Sequence, residues 1–195
     1  MRLFMAINFN NDTRSRLLSL RDELRSHAER GNFSLPENLH LTLVFLGECS
    51  AGQSSAIKSV MDKVVFEPFD IQVERVGRFK RDDPHRASGD TWWAGLHGSK
   101  PLLDLQQTLT DKLTAEGFSL DKREYKPHIT LGREVVTDAV PWKMDPFGER
   151  VGQVDLMKSE RMNGKLTYTS IYRRGNCLRG SKSAADEYGK LQQHE

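Results

Sequence analysis

The chain has 195 residues, 37% hydrophobic and 29% charged, the ordinary composition of a globular protein long enough to bury a core. It holds no run of about 18 apolar residues, which excludes a membrane-spanning helix and leaves no membrane partner to expect. The formal net charge of +2 admits an anionic ligand without requiring one.

In chain order, the opening "MRLFMAINFNNDTR" turns polar too soon for a secretory signal. Cys49 and Cys177 have neither metal-type nor disulfide-type spacing, so a reduced, cytoplasmic setting is expected. "RLFMAINF" reads as a buried strand. The capping residues "NNDT" follow, and Leu17, Leu18, Leu20 and Leu24 then recur among charges, which predicts a helix over about residues 11–29. "GNFSLPEN" is turn chemistry, and "LHLTLVFLG" is a strand closed by Gly47. Residues 53–65 read as an amphipathic helix, and "FDIQVERVGRF" as a strand. "KRDDPHRASGD" is a polar loop, "TWWAGLHG" a short strand, and "SKPLLDLQQTLTDKLTAEG" a helix closed by Gly117. "KPHITLGREV" is a further strand. "VGQVDLMKSER" and "LTYTSIYRR" form a late hairpin about Asn163-Gly164. From residue 175 to 195 apolar periodicity is lost, and a loosely ordered tail is expected after one domain spanning 1–174.

A repeat emerges from this order. Strand, helix and strand run from Phe4 to His40, and again from Trp93 to His128, with separations that agree to one residue. Matched units suggest an internal duplication. The expected fold class is α+β and bilobal: two antiparallel-sheet lobes related by a pseudo-two-fold axis, helices outside, and a central cleft.

Each unit ends in nearly the same tetrapeptide, "HLTL" at 40–43 and "HITL" at 128–131. On a strand, residues i and i+2 share a face, so His40 projects beside Thr42 and His128 beside Thr130. The alternate Leu and Ile residues point into the core and hold the register. Two such strands facing one cleft offer two imidazoles and two hydroxyls. Imidazole titrates near pH 6.5, so one ring can act as base while its twin acts as acid, and the hydroxyls can donate to anionic oxygens. A phosphodiester fits that constellation. A metal site does not, because neither motif has Cys, Asp or Glu at a ligand spacing; no cofactor and no metal are expected.

These motifs resemble the paired His-x-Thr-x signatures of the two-histidine (2H) phosphoesterase superfamily. "RLFMAINF", "PENLHLTLVFLGE", "WWAGL", "YKPHITLGR" and "SERMNGKLTYTSIYR" resemble its LigT-like branch, RNA 2′,3′-cyclic phosphodiesterases also called 2′-5′ RNA ligases. The resemblance covers about residues 2–173. It implies metal-independent hydrolysis of a terminal RNA 2′,3′-cyclic phosphate to a 2′-phosphomonoester, with ligation as a related outcome. It also implies His40 as proton donor to the leaving 3′ oxygen, His128 as the group that activates water, and Thr42, Thr130 and Arg133 as phosphate contacts. The implied partner is RNA with a cyclic phosphate end, tRNA-like fragments included, and the chain is expected to act as a monomer. Relatives in the superfamily act on ADP-ribose cyclic phosphate, on 2′-5′ oligoadenylates or on U-rich RNA ends. A reading of another class is a non-catalytic RNA-binding module, which predicts that either histidine can be lost without losing function.

Strict alternation puts Arg133 on the face opposite His128, so it reaches a phosphate only if Gly132 allows a bulge or the strand ends there. Phe9 is a candidate for stacking a base at the cleft mouth, against core packing as the commoner fate of such a residue. Tyr168 alternates with Leu166 and Ser170 and is a candidate to line the cleft. Trp92 and Trp93 face opposite ways, so at least one belongs to the core. Lys126, His27, His85, His97 and His194 read as surface residues.

Overall fold

A computed structural model describes residues 1–80 and 89–175. Most of the polar loop expected over 80–90 and nearly all of the expected tail lie outside the described residues, as do His85, Cys177 and His194. The described elements are β1 (Arg2–Asn8), α1 (Asn11–Ser26), β2 (Ala28–Phe33), a 3₁₀ turn at Pro36–Asn38, β3 (His40–Glu48), α2 (Ala51–Asp62), β4 (Phe69–Phe79), β5 (Asp90–Leu96), α3 (Lys100–Ala115), β6 (His128–Thr137), β7 (Trp142–Val151), β8 (Gln153–Met162) and β9 (Lys165–Gly175).

The strands form two antiparallel sheets, ordered β3-β1-β8-β9 and β2-β6-β5-β4-β7. Apart from the added edge strand β2, the orders correspond: a histidine strand, its antiparallel partner, and two further strands. The α+β, two-sheet fold with a cleft is therefore present. The register refines the duplication. Asn8 pairs with His40 and Gly95 with His128, while Ala6 pairs with Thr42 and Trp93 with Thr130. Trp93 thus corresponds to Ala6, not to Phe4 as sequence spacing suggests, because spacing does not see the loop lengths between strand and helix.

Side-chain alternation divides the faces. Leu3, Met5 and Ile7 of β1 and Leu41 and Leu43 of β3 enter a shared core with Val73, Trp92, Ala94, Ile129 and Leu131 of the second sheet. Leu17, Leu20 and Leu24 of α1 and Leu102, Leu105, Leu109 and Leu113 of α3 close it. The opposite face of β1 carries Phe4 and Ala6, packed with Met157 and Tyr168 on the cleft side. Helix ends follow local chemistry. The Asn10 side chain accepts from the Thr13 amide, and Ser50 and Gln53 cap α2 reciprocally. Among the described residues no helix is long and apolar enough to cross a membrane. Cys49 is a buried free thiol.

Two strands depart from expectation. The helix ends at Ser26, and Ala28–Phe33, expected as helix end and turn, is β2. Trp142–Val151, given no strand by the sequence, is β7. Both are edge strands paired on one side only, and neither shows a clean apolar alternation. β7 also contains Pro146, which falls where its register with β4 shifts between Val73 and Arg75.

The late hairpin has the expected turn, with positive φ at Asn163 (50°) and Gly164 (79°). Asp155 of β8, fully buried, accepts hydrogen bonds from the Ser170 hydroxyl at 2.6 Å and Arg173 Nε at 2.8 Å and holds β9 in place. Gly164→Ala forces a Cβ into the left-handed region and should cost about 1–2 kcal/mol. Thermal unfolding of the variant checks this; an unchanged melting temperature contradicts it.

Candidate active site

Both histidines are the first residues of their strands. Each folds its ring back on the preceding segment in the same way. His40 Nδ1 lies 2.8 Å from the Asn38 carbonyl, and His128 Nδ1 lies 2.7 Å from the Lys126 carbonyl. A carbonyl only accepts, so each Nδ1 carries the hydrogen and each neutral ring keeps its lone pair on Nε2. His40 Nε2 lies 3.0 Å from Thr42 Oγ1. Aromatic rings fix the tilt: Phe4 stands 4.9 Å and Tyr168 5.1 Å from the His40 ring, and Phe79 meets the His128 ring edge-on at 5.1 Å.

His40, Thr42, His128, Thr130, Arg133 and Tyr168 all line one pocket of about 760 Å³ between the sheets. Burial holds the His40 imidazole down at about 4, with the positive charges of Arg133 and His128 adding to the effect and the Asn38 carbonyl opposing it. Burial, then Arg133, lowers His128 as well, against the Lys126 carbonyl. Both rings are therefore neutral at pH 7 in the free protein. Anionic charge between them would favour their protonated forms.

Arg133 reaches this pocket by an irregularity in β6. Trp92 pairs with Gly132 and Trp93 with Thr130, so Leu131 is the extra residue of a bulge. Leu131 and Gly132 are both buried, Arg133 emerges on the cleft side, and a second shift follows before Val135, which pairs with Asp90. Glycine is needed there: a Cβ at Gly132 would stand 2.8 Å from Val135 Cγ2 and 3.2 Å from Phe33 Cδ1. Glu134 follows at φ 55°, its carboxylate accepting from Asn32 Nδ2 at 2.7 Å.

Phe9 is not in the pocket. It is 5% exposed in the shared core, because it continues the Leu3-Met5-Ile7 face of β1 and not the cleft-facing Phe4-Ala6 face. Trp92 is fully buried in the core, and Trp93 takes the other face. The Lys126 ammonium is exposed beside Glu124; His97 is exposed and pairs with Glu74 at 3.0 Å.

The structure adds residues that sequence reasoning passed over. Arg161 and Lys165 flank the hairpin turn and bring positive charge to the pocket rim. The Ser34 hydroxyl donates to the Thr130 carbonyl at 2.7 Å, and Asn38 Nδ2 to the Leu166 carbonyl at 2.8 Å. The Tyr125 phenol donates to the Thr42 carbonyl at 2.9 Å and pins the segment before His128 against the strand of His40; burial pushes its ionisation up. The hairpin register predicts a shared neighbourhood for Arg161 and Lys165, but nothing local predicts the reach of Tyr125. Among the described residues no three His, Cys, Asp or Glu side chains converge as metal ligands.

Comparison with known proteins gives the family and the fold. The family model for the 2′-5′ RNA ligase superfamily matches residues 7–161. An RNA 2′,3′-cyclic phosphodiesterase of Archaeoglobus fulgidus is 34% identical over 155 residues, 76% of this chain and 85% of that protein. One from Methanothermobacter thermautotrophicus is 30% identical over 156 residues, 79% and 80% of the two chains. The crystal structure of Escherichia coli LigT complexed with 3′-AMP superposes with a TM-score of 0.76 at 26% identity, covering 89% of this chain and 97% of that one.

Proposed function

Because the chain belongs to the 2′-5′ RNA ligase superfamily, we propose that it hydrolyses a terminal RNA 2′,3′-cyclic phosphate to a 2′-phosphomonoester, with His40 and His128 moving the two protons. The observation that carries the reading is the matched anchoring of the rings: each Nδ1 is held by the carbonyl two residues upstream, and both histidines line one pocket.

His128 Nε2 takes a proton from water as its oxygen attacks phosphorus. The bond to the 3′ oxygen breaks, and His40 Nε2–H protonates it. The division of acid and base follows the family resemblance, since the two sites are near-equivalent. Thr42 and Thr130 donate to the phosphoryl oxygens, and Arg133 neutralises the charge that builds on them. The anionic substrate raises the neighbouring imidazole and keeps the acid protonated, which the free protein does not do at pH 7. With a 5′-hydroxyl in place of water, the same two transfers join RNA ends through a 2′-5′ linkage. No step calls on a metal. Tyr168 packs the His40 ring and narrows the cleft. The proposed partner is RNA carrying a cyclic phosphate end, and the proposed compartment is the cytoplasm.

An RNA oligonucleotide ending in a 2′,3′-cyclic phosphate, incubated with the protein and EDTA, should yield a 2′-phosphate end. A 3′-phosphate product, or activity abolished by EDTA, contradicts the mechanism. Absence of turnover on this end rejects the substrate.

A further inference from the structure

A second pocket of about 330 Å³ opens on the other side of His128, which it shares with the main pocket. Its lining includes Phe79, Trp93, Leu96 and Leu103, with Arg75 and Lys126 as cations and, among the described residues, no carboxylate. The Trp93 indole lies flat across two glycines. A Cβ on Gly77 would stand 2.3–2.8 Å from three atoms of its six-membered ring, and one on Gly95 would stand 2.6 Å from Cζ3. Those glycines are its sheet neighbours, Gly77 paired with Trp93 itself and Gly95 with His128. The Phe79 ring packs against the indole with centroids 5.2 Å apart and planes tilted by 38°, and Phe79 is itself 37% exposed.

This is a built platform. Two positions lack side chains where any side chain would lift the indole, and the indole stands next to a proposed proton-transfer residue. Flat aromatic surface flanked by positive charge is how proteins hold single-stranded nucleic acid. Among the described residues Arg75 pairs with its near neighbour Glu74 and Lys126 with Glu124, in exposed contacts that cost little to exchange for a phosphate.

We propose that this pocket receives the base of the nucleotide preceding the cyclic end, stacked on Trp93, with Arg75 and Lys126 facing the intervening phosphate. The proposal rests on the phosphodiesterase reading and adds to it a reason for acting on RNA chains in preference to single nucleotides. The terminal nucleoside and its cyclic phosphate occupy the larger pocket; the second base occupies the smaller.

The test compares a nucleoside 2′,3′-cyclic phosphate with a dinucleotide bearing the same end. Trp93→Ala should lower kcat/KM on the dinucleotide on the order of 5- to 150-fold more than on the mononucleotide, chiefly through KM. Trp93→Phe should recover most of that difference. Leu103 is 44% exposed on α3, so Leu103→Glu spares the core while placing a carboxylate at the platform, and it should reproduce the selective loss. Equal losses on both substrates, or no loss on either, overturn the subsite. Failure of the underlying reading looks different, because the unmodified protein then turns over neither substrate. In that case quenching of tryptophan fluorescence by a dinucleotide 2′-phosphate, against the mononucleotide, decides the matter. A preference for the dinucleotide that Leu103→Glu removes supports the subsite, and no preference refutes it.

Discussion

Replacing His40 or His128 by alanine should lower turnover of a cyclic-phosphate RNA end on the order of 10²- to 10⁴-fold, the usual worth of one positioned proton transfer. Both rings sit half-buried at the cleft, outside the shared core, so the variants should fold. Far-ultraviolet circular dichroism and thermal melting separate loss of chemistry from loss of structure. The double variant should be little worse than either single one, since an acid without its base does not complete the exchange. Turnover that survives both substitutions would remove the histidines from the mechanism.

The same pair predicts a pH profile. The reactive form has one ring neutral and the other protonated. Burial and Arg133 lower both rings in the free protein, His40 to about 4, so the bell of kcat/KM should be centred below the ordinary imidazole value of about 6.5. Its limbs belong to the pair and not to either ring. Above that window the doubly neutral form dominates, and kcat/KM falls about tenfold per pH unit. Bound phosphate stabilises imidazolium, so the kcat profile should lie at higher pH than that of kcat/KM. A rate that rises steadily with pH through 8 excludes the scheme.

Arg133→Gln should act on both substrate and histidines. Charge-assisted hydrogen bonds are worth about 1.5–3 kcal/mol, so kcat/KM should fall on the order of 10- to 150-fold. Removing a positive charge favours protonation of its neighbours, so both imidazoles should titrate at higher pH than in the unmodified protein, with His40 and His128 moving together. Histidine resonances followed by NMR across pH 3–8 read this directly. Arg133→Lys keeps the charge and loses the planar fork, so it should restore the lowered titrations while recovering only part of the activity. Unmoved titrations in the Gln variant would place Arg133 too far from the rings to matter.

The cleft constellation was legible in the chain because it is local. Alternation at 40–43 and 128–131 places each histidine beside its threonine whatever the rest of the fold does. Helices with leucines on one face, and a turn at Asn163-Gly164, are likewise decided within a few residues. Phe9 shows the limit of that reasoning: the alternation that sends Phe4 to the cleft sends Phe9 to the core, and only the packed sheet shows which parity faces which side.

What tertiary structure alone decided depends on a partner strand. β2 and β7 take their conformation from a neighbour on one side, so their sequences need not alternate. The bulge at Leu131 exists relative to β5, and it turns Arg133 from the opposite face into the pocket. Tyr125 reaches a carbonyl 83 residues away, and Trp93 lies flat because the strand beside it carries glycine. The sequence by itself determined that His40 stands beside Thr42 and His128 beside Thr130, since each pair sits two residues apart on its own strand. Which cations and which aromatic surface meet them was decided by register between strands distant in the chain, a property that no local period encodes.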